Sequence, residues 1–257
     1  MSQIFNLQLA TGSLRSDAQQ LGVSCEQLQQ IRVEVSATIT QQTEPQLWLT
    51  YQIQLQHPSL AAQLNWPTWD QARVNFTDYL WEQTCLECFI SDGSMSTDES
   101  TAYVEVNASP GGCYALYHFK GYRTPSTLPP TPLLKADGKL PAHINWAKNL
   151  SRTESHTSSI LESLLSHSIV PPYYYERSFG IPLNQLPSNL LASSNNNNSS
   201  GKASNNIPIK QLHPCVILKF SKVFLYFAPI HASPPDFHQR RYWTRFEYPV
   251  ALNNQSS

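Results

Sequence analysis

Two successive stretches alternate apolar and polar residues, and this constrains the fold more than any other feature of the chain. Ile31, Val33, Val35, Ala37 and Ile39 are interleaved with Arg32, Glu34, Ser36 and Thr38. Leu47, Leu49, Tyr51, Ile53 and Leu55 are interleaved with Trp48, Thr50, Gln52, Gln54 and Gln56. Successive side chains of a strand point to opposite faces, so each stretch buries one face and wets the other. Half-buried strands of this kind belong to antiparallel sheets, because parallel strands are covered on both sides.

Three further strand-like runs follow at 84–91, 101–109 and 113–122. Asp92-Gly93 and Ser109-Pro110-Gly111-Gly112 separate them, both turn compositions, and together they predict a meander. Residues 173–179, 214–220 and 223–229 are rich in aromatic and β-branched residues, and the last two read as a hairpin. Eight or more strands without a long amphipathic helix predict an all-β chain, an antiparallel two-sheet β-sandwich. One or two short helices are expected, at 17–30 and around Ile160, Leu161, Leu164 and Leu165. With 257 residues the chain suits one large all-β domain. The expected layout is an N-terminal segment, 1–30, covering a sheet edge, a sandwich over 31–249, and a tail over 250–257.

Proline bears on the connections. The chain has 19 prolines and 9 glycines, an inversion of the usual order. Many prolines fall between strands, where a residue that donates nothing to a ladder also protects sheet edges. Pro125, Pro129, Pro130 and Pro132 make 124–133 an extended polyproline-like linker within the domain. Residues 193–206, SSNNNNSSGKASNN, lack apolar mass and read as a disordered loop.

Charge and cysteine content exclude several functions. Net charge is −1 and no basic cluster exceeds Arg240-Arg241, which argues against nucleic acid as a partner. No stretch approaches the ~20 apolar residues of a membrane helix, and residues 1–17 lack the pattern of a signal peptide. The expectation is a cytoplasmic protein with no membrane partner. Cys85 and Cys88 form a C-x-x-C without the second pair of a zinc ribbon. Three apart on a strand, they face opposite ways and read as two small buried side chains.

Chemistry concentrates in the meander. On 101–109, Tyr103, Glu105 and Asn107 share one face, while on 84–91 Cys85, Glu87 and Phe89 share another, so hairpin pairing places Glu87 beside Glu105. Two carboxylates side by side repel unless a ligand binds there or a cation, Arg73 or Arg123, neutralises them.

The order LWEQTCLECFI, YVEVNASPGG and CYALYHFKGYR, closed by VFLYFAPIH and PDFH, resembles the DOMON-like domains related to type 9 carbohydrate-binding modules. The likeness runs from about residue 31 to residue 249. Leu86 departs from the family's usual Phe, and Tyr226 from its Trp-Ala pair. The resemblance implies a β-sandwich of about ten strands whose relatives bind sugars or haem.

A pyranose offers CH faces for stacking and hydroxyls for paired hydrogen bonds. Trp81, Tyr103, Tyr122 and Trp146 are candidates for stacking, and Glu87, Glu105, Asn107 and Arg123 for the hydroxyls. The expected function is non-catalytic binding of a carbohydrate or sugar-like small-molecule ligand by Trp81, Glu87, Tyr103, Glu105, Asn107, Tyr122 and Arg123. The alternatives are a structural or protein-interaction domain, in which the glutamates pair with Arg73 and Arg123, and a haem-binding domain. Paired carboxylates also serve glycoside hydrolysis, but no nucleophile elbow, zinc-protease motif or phosphate loop accompanies them, so no catalytic residue is assigned. No cofactor or metal is expected. For haem the candidate ligands are Met95 and His118, and His118 reads better as a sheet histidine. Asp236 in the Pro234–His238 run reads as a turn residue bonding the backbone rather than a metal ligand.

Overall fold

The computed structural model describes residues 2–40, 43–93, 100–147, 173–187 and 209–247. The Asn/Ser segment 193–206, the expected helix around 160–165, Met95 and the tail 250–257 lie outside them. The alternating stretches form β2 (Arg32–Thr40) and β3 (Gln46–Leu55), paired from Arg32↔Gln54 to Thr40↔Gln46. Their inward residues, Val33 to Ile39 and Leu47 to Leu55, are buried as the alternation requires. The meander is β4 (Cys85–Ser91), β5 (Tyr103–Ala108) and β6 (Tyr114–Phe119), and the late hairpin is β9 (Gln211–Phe220) with β10 (Val223–Ala228). Short β7 (Asn145–Trp146), long β8 (Tyr173–Pro182) and a two-residue β11 (Thr244–Arg245) complete the set after β1, described next.

The N-terminal segment does not cover an edge. Residues Gln3–Leu9 form β1, which pairs antiparallel with β2 on one side and with β10 on the other. This insertion makes the strand path continuous where two separate sheets were expected. The order is β6-β5-β4-β9-β10-β1-β2-β3-β8-β7, with β11 on β9, in an antiparallel sheet curled into a half-barrel. Phe5 and Leu7 alternate inward into the core. After β1 come α1 (Leu14–Leu21), closed by Gly22 in the left-handed conformation, and α2 (Cys25–Gln29), opened by a capping box between Ser24 and Gln27. A third helix, α3 (Pro58–Gln63), has proline in its first turn, where the missing N–H costs nothing.

The main core lies inside the curl. Val33, Val35, Leu49, Ile53 and Phe179 from one half pack with Leu86, Val104, Val106, Val216 and Leu218 from the other. Tyr51 crosses this core and donates its hydroxyl to the Glu87 carbonyl, 2.6 Å away. Buried Arg177 reaches from β8 to the Pro110 carbonyl at 2.8 Å and fixes the turn after β5. Tyr51→Phe leaves a packed ring and removes the hydroxyl's bond to that carbonyl. It should lower the free energy of urea unfolding by about 1 kcal/mol, and an unchanged midpoint would mean the hydroxyl holds nothing.

A second apolar cluster covers the opposite face of β4, β5, β6, β9 and β10. Cys85, Phe89, Tyr103, Tyr117, Phe119, Cys215 and Ile217 are roofed there by Phe237 and Trp243 from the closing segment. Cys85 belongs to this cluster and Cys88 to the main core, as strand parity predicts. All five cysteines are free. Among the described residues no helix is long and apolar enough to cross a membrane.

Candidate functional site

The outer face of the meander carries the polar row. Register pairs Glu87 with Asn107 and Glu105 with Phe89, so the two glutamates are diagonal neighbours and not directly opposite, a one-pair slip from the expected arrangement. Diagonal positions lie about 7–8 Å apart at the backbone, within reach for glutamate side chains. Both are buried, Glu87 at 3% exposure and Glu105 at 5%. A cavity of about 380 Å³ opens over them, lined also by Trp81, Phe89, Phe119, Tyr226, Phe237 and Arg123.

Three segments that are distant in sequence close this cavity. A 3-10 turn, Leu80–Glu82, places Trp81 at one wall, with its ring at 6.0 Å from that of Tyr117. The proline-rich stretch after β6 is a second wall and not a linker. Pro125, Ser126, Thr127, Leu128 and Pro130 line the cavity, and residues 131–133 then bond the β6 edge through His118 N–H to Thr131 O and Leu133 N–H to Leu116 O. Proline rings offer apolar surface without a donor to satisfy, which suits a dry wall. Leu128 is 74% exposed at the rim. The closing segment supplies the third wall through Pro235, Asp236, Phe237 and His238.

Asp236 organises that wall. Its carboxylate accepts from Arg123 Nη2 at 2.9 Å, from the Tyr122 hydroxyl, and from the His238 backbone N–H at 3.1 Å. Burial raises its proton affinity, but the bonds from Tyr122 and Arg123 outweigh this and hold the carboxyl below its ordinary range. The turn reading of Asp236 thus stands, and Arg123 is paired with Asp236 and not with a glutamate. Arg73 forms an exposed pair with Asp70 and takes no part.

Behind the carboxyls runs a chain of polar contacts. The Arg123 backbone N–H donates to the Tyr103 hydroxyl oxygen at 3.2 Å, so the phenol donates in turn to His238 Nδ1 at 2.7 Å. That assigns the ring proton to Nε2, which faces Glu105 Oε2 at 3.7 Å. Asn107 Nδ2 donates to Glu105 Oε1 at 2.7 Å. Burial, with Arg123 adding to it, pushes His238 down to about 3, so the imidazole is neutral. Burial pushes Glu105 up to about 7 against the opposing effects of Asn107 and Arg123. Glu87 is held well above the carboxylate range by burial and by the charge of Glu105. A buried carboxyl with no cation on it prefers its proton.

Of the seven residues expected at a binding face, Trp81, Glu87, Glu105 and Arg123 line the cavity. Tyr103, Asn107 and Tyr122 sit behind it and orient His238, Glu105 and Asp236. Trp146 packs on Trp69 and Phe179, away from the cavity. His118 pairs with Val104, so it lies on the sheet face opposite to Glu105. Among the described residues no group of three His, Cys, Asp or Glu side chains is arranged to hold a metal. Sequence reasoning missed His238 as a partner of the carboxyls and the Pro125–Pro130 wall. The PDFH run was visible, but nothing local tied it to β5.

The fold and site together define a β-rich chain with a partly enclosed cavity whose floor is acidic and whose walls are aromatic. Comparison with protein-family models, with curated proteins and with solved structures finds no match to this chain.

Proposed function

We propose that this cavity binds a carbohydrate or sugar-like small ligand without converting it. The observation that carries the reading is the cavity itself. Two buried carboxyls form its floor, among the described residues no arginine is paired with them, and aromatic rings stand around them. A purely structural role for Glu87 and Glu105 would call for cation partners and a closed roof. At about 380 Å³ the cavity lies in the range of small-molecule sites, with room for one sugar ring and its substituents. Trp81 supplies a face for the CH side of a ring, and the glutamates and Arg123 supply hydrogen-bonding groups. The motif likeness to DOMON-like domains, a family with sugar-binding members, supports the same reading.

Isothermal titration of the full chain with a panel of mono- and disaccharides tests it. At least one sugar should bind with millimolar affinity or better, and Trp81→Ala should weaken that sugar by about tenfold or more while the melting temperature moves little. A panel in which no sugar binds the parent protein at tens of millimolar would sink the proposal.

A further inference from the structure

The hydrogen-bonding groups at the floor of the cavity are unbalanced in one direction. Glu87 makes no ion pair among the described residues, and its hydrogen-bonding neighbour is the Cys85 thiol. Glu105 Oε2 has the His238 ring at 3.7 Å, beyond hydrogen-bonding distance. Behind the floor, Asn107 Oδ1 is buried with no hydrogen-bond partner among the described residues. Once ionised, the two carboxyls offer acceptors only. Arg123, which lines the cavity, is bonded to Asp236, and among the described residues no cation is paired with Glu87 or Glu105. The walls add the aromatic rings of Trp81, Phe89, Phe119, Tyr226 and Phe237, and an aromatic face attracts a cation and offers little to an anion.

We propose that the ligand carries a protonated amine, as an amino sugar does, and that its ammonium seats between Glu87 and Glu105 under the aromatic walls. The inference rests on the cavity being the ligand site. An ammonium has three donors and no acceptor, which complements two carboxyls once they ionise. It also supplies the charge that lets both carboxyls ionise, so binding of an amine that is charged throughout releases protons from the pair. The other titratable groups facing them do not compete. Burial raises the Cys85 and Cys215 thiols and the Tyr117 and Tyr226 phenols, so all four stay neutral. His238 is neutral, and Asp236 stays ionised against Arg123. Amine affinity therefore falls as pH drops from about 7.5 to about 5.5 and the carboxyls regain protons.

The test is titration of the full chain with glucosamine, N-acetylglucosamine and glucose, and with cyclohexylamine and cyclohexanol as a pair without sugar hydroxyls. Glucosamine should bind about tenfold or more tighter than either neutral sugar, and cyclohexylamine tighter than cyclohexanol. Cyclohexylamine, charged at every pH used, should weaken severalfold at pH 5.5. Glu87→Gln and Glu105→Gln should each abolish the preference for the amines, so that the variant binds glucosamine no more tightly than glucose and cyclohexylamine no more tightly than cyclohexanol. Neutral sugars that bind as tightly as glucosamine to the parent protein would overturn the amine inference and leave the sugar reading standing. Cyclohexylamine binding where no sugar binds, glucosamine included, would support the amine inference and reject the sugar reading. Binding of neither class would reject both.

Discussion

Glu105→Gln is expected to make the protein more stable at pH 8 by about 3 kcal/mol and to leave it nearly unchanged at pH 4. In the folded chain the Glu105 carboxyl keeps its proton up to about pH 7, whereas the unfolded carboxyl releases it above its ordinary value of 4.5. Between those two values the folded state holds more protons, so stability falls as pH rises through that window and levels off above it. The interval corresponds to about 3 kcal/mol for this group. Glu87, raised further by burial and by Glu105, extends the decline to higher pH. His213 and His238 act on the acid side. Both are pushed by burial from 6.5 down to about 3, so the unfolded chain takes up their protons first and stability is lost as pH falls from 6.5 toward 3. The two effects oppose each other between about pH 4.5 and 6.5, which places maximal stability there.

Glutamine has nearly the shape of glutamate, keeps an oxygen to accept from Asn107, and has no proton to lose. Thermal melts of parent and variant from pH 4 to 9 should therefore diverge as pH rises, the variant melting roughly 6–12 °C higher at pH 8. Parallel curves would show that Glu105 is not a buried titrating group. The stabilisation has a functional counterpart. A site that costs the fold stability when it is empty and ionised is what a binding cavity with an acidic floor should show.

The second large effect concerns β1. Removing residues 2–10 should abolish cooperative unfolding. The deletion takes away Phe5 and Leu7 and leaves β2 and β10 facing each other as unpaired edges where the sheet was continuous. A milder version is Phe5→Ala, which empties a buried aromatic site and should cost about 3–5 kcal/mol in urea unfolding. A truncated chain that keeps a sharp, parent-like transition would show that the two halves of the sheet stand without β1.

Legibility varied with the range of the interaction that decides each feature. β2 and β3 were readable because a period of two, sustained over nine or ten residues with one face buried, admits one conformation and one register. The meander was readable because Asp92-Gly93 and the Ser109–Gly112 turn break the chain where the strands end. β1 was not recognised. Phe5, Leu7 and Leu9 alternate, but Ile4 interrupts the polar set, and seven residues give a weak periodic signal. The proline-rich wall was misread because composition reports that a segment avoids ladders, not what its rings pack against.

Strand parity together with hairpin pairing put Glu87 and Glu105 on one face, because side-chain direction within a strand and the turn that joins two neighbouring strands are local properties. That their face is roofed, that Arg123 is committed to Asp236, and that His238 stands over Glu105 were decided by tertiary structure. Tyr103 and His238 lie 135 residues apart and meet at 2.7 Å. The proton affinity of each carboxyl depends on what covers it and which cations reach it, and burial is set by the whole sheet closing on itself. Thus the sequence determined the strands and the row of acids, and the packing of distant loops over that row turned it into a cavity.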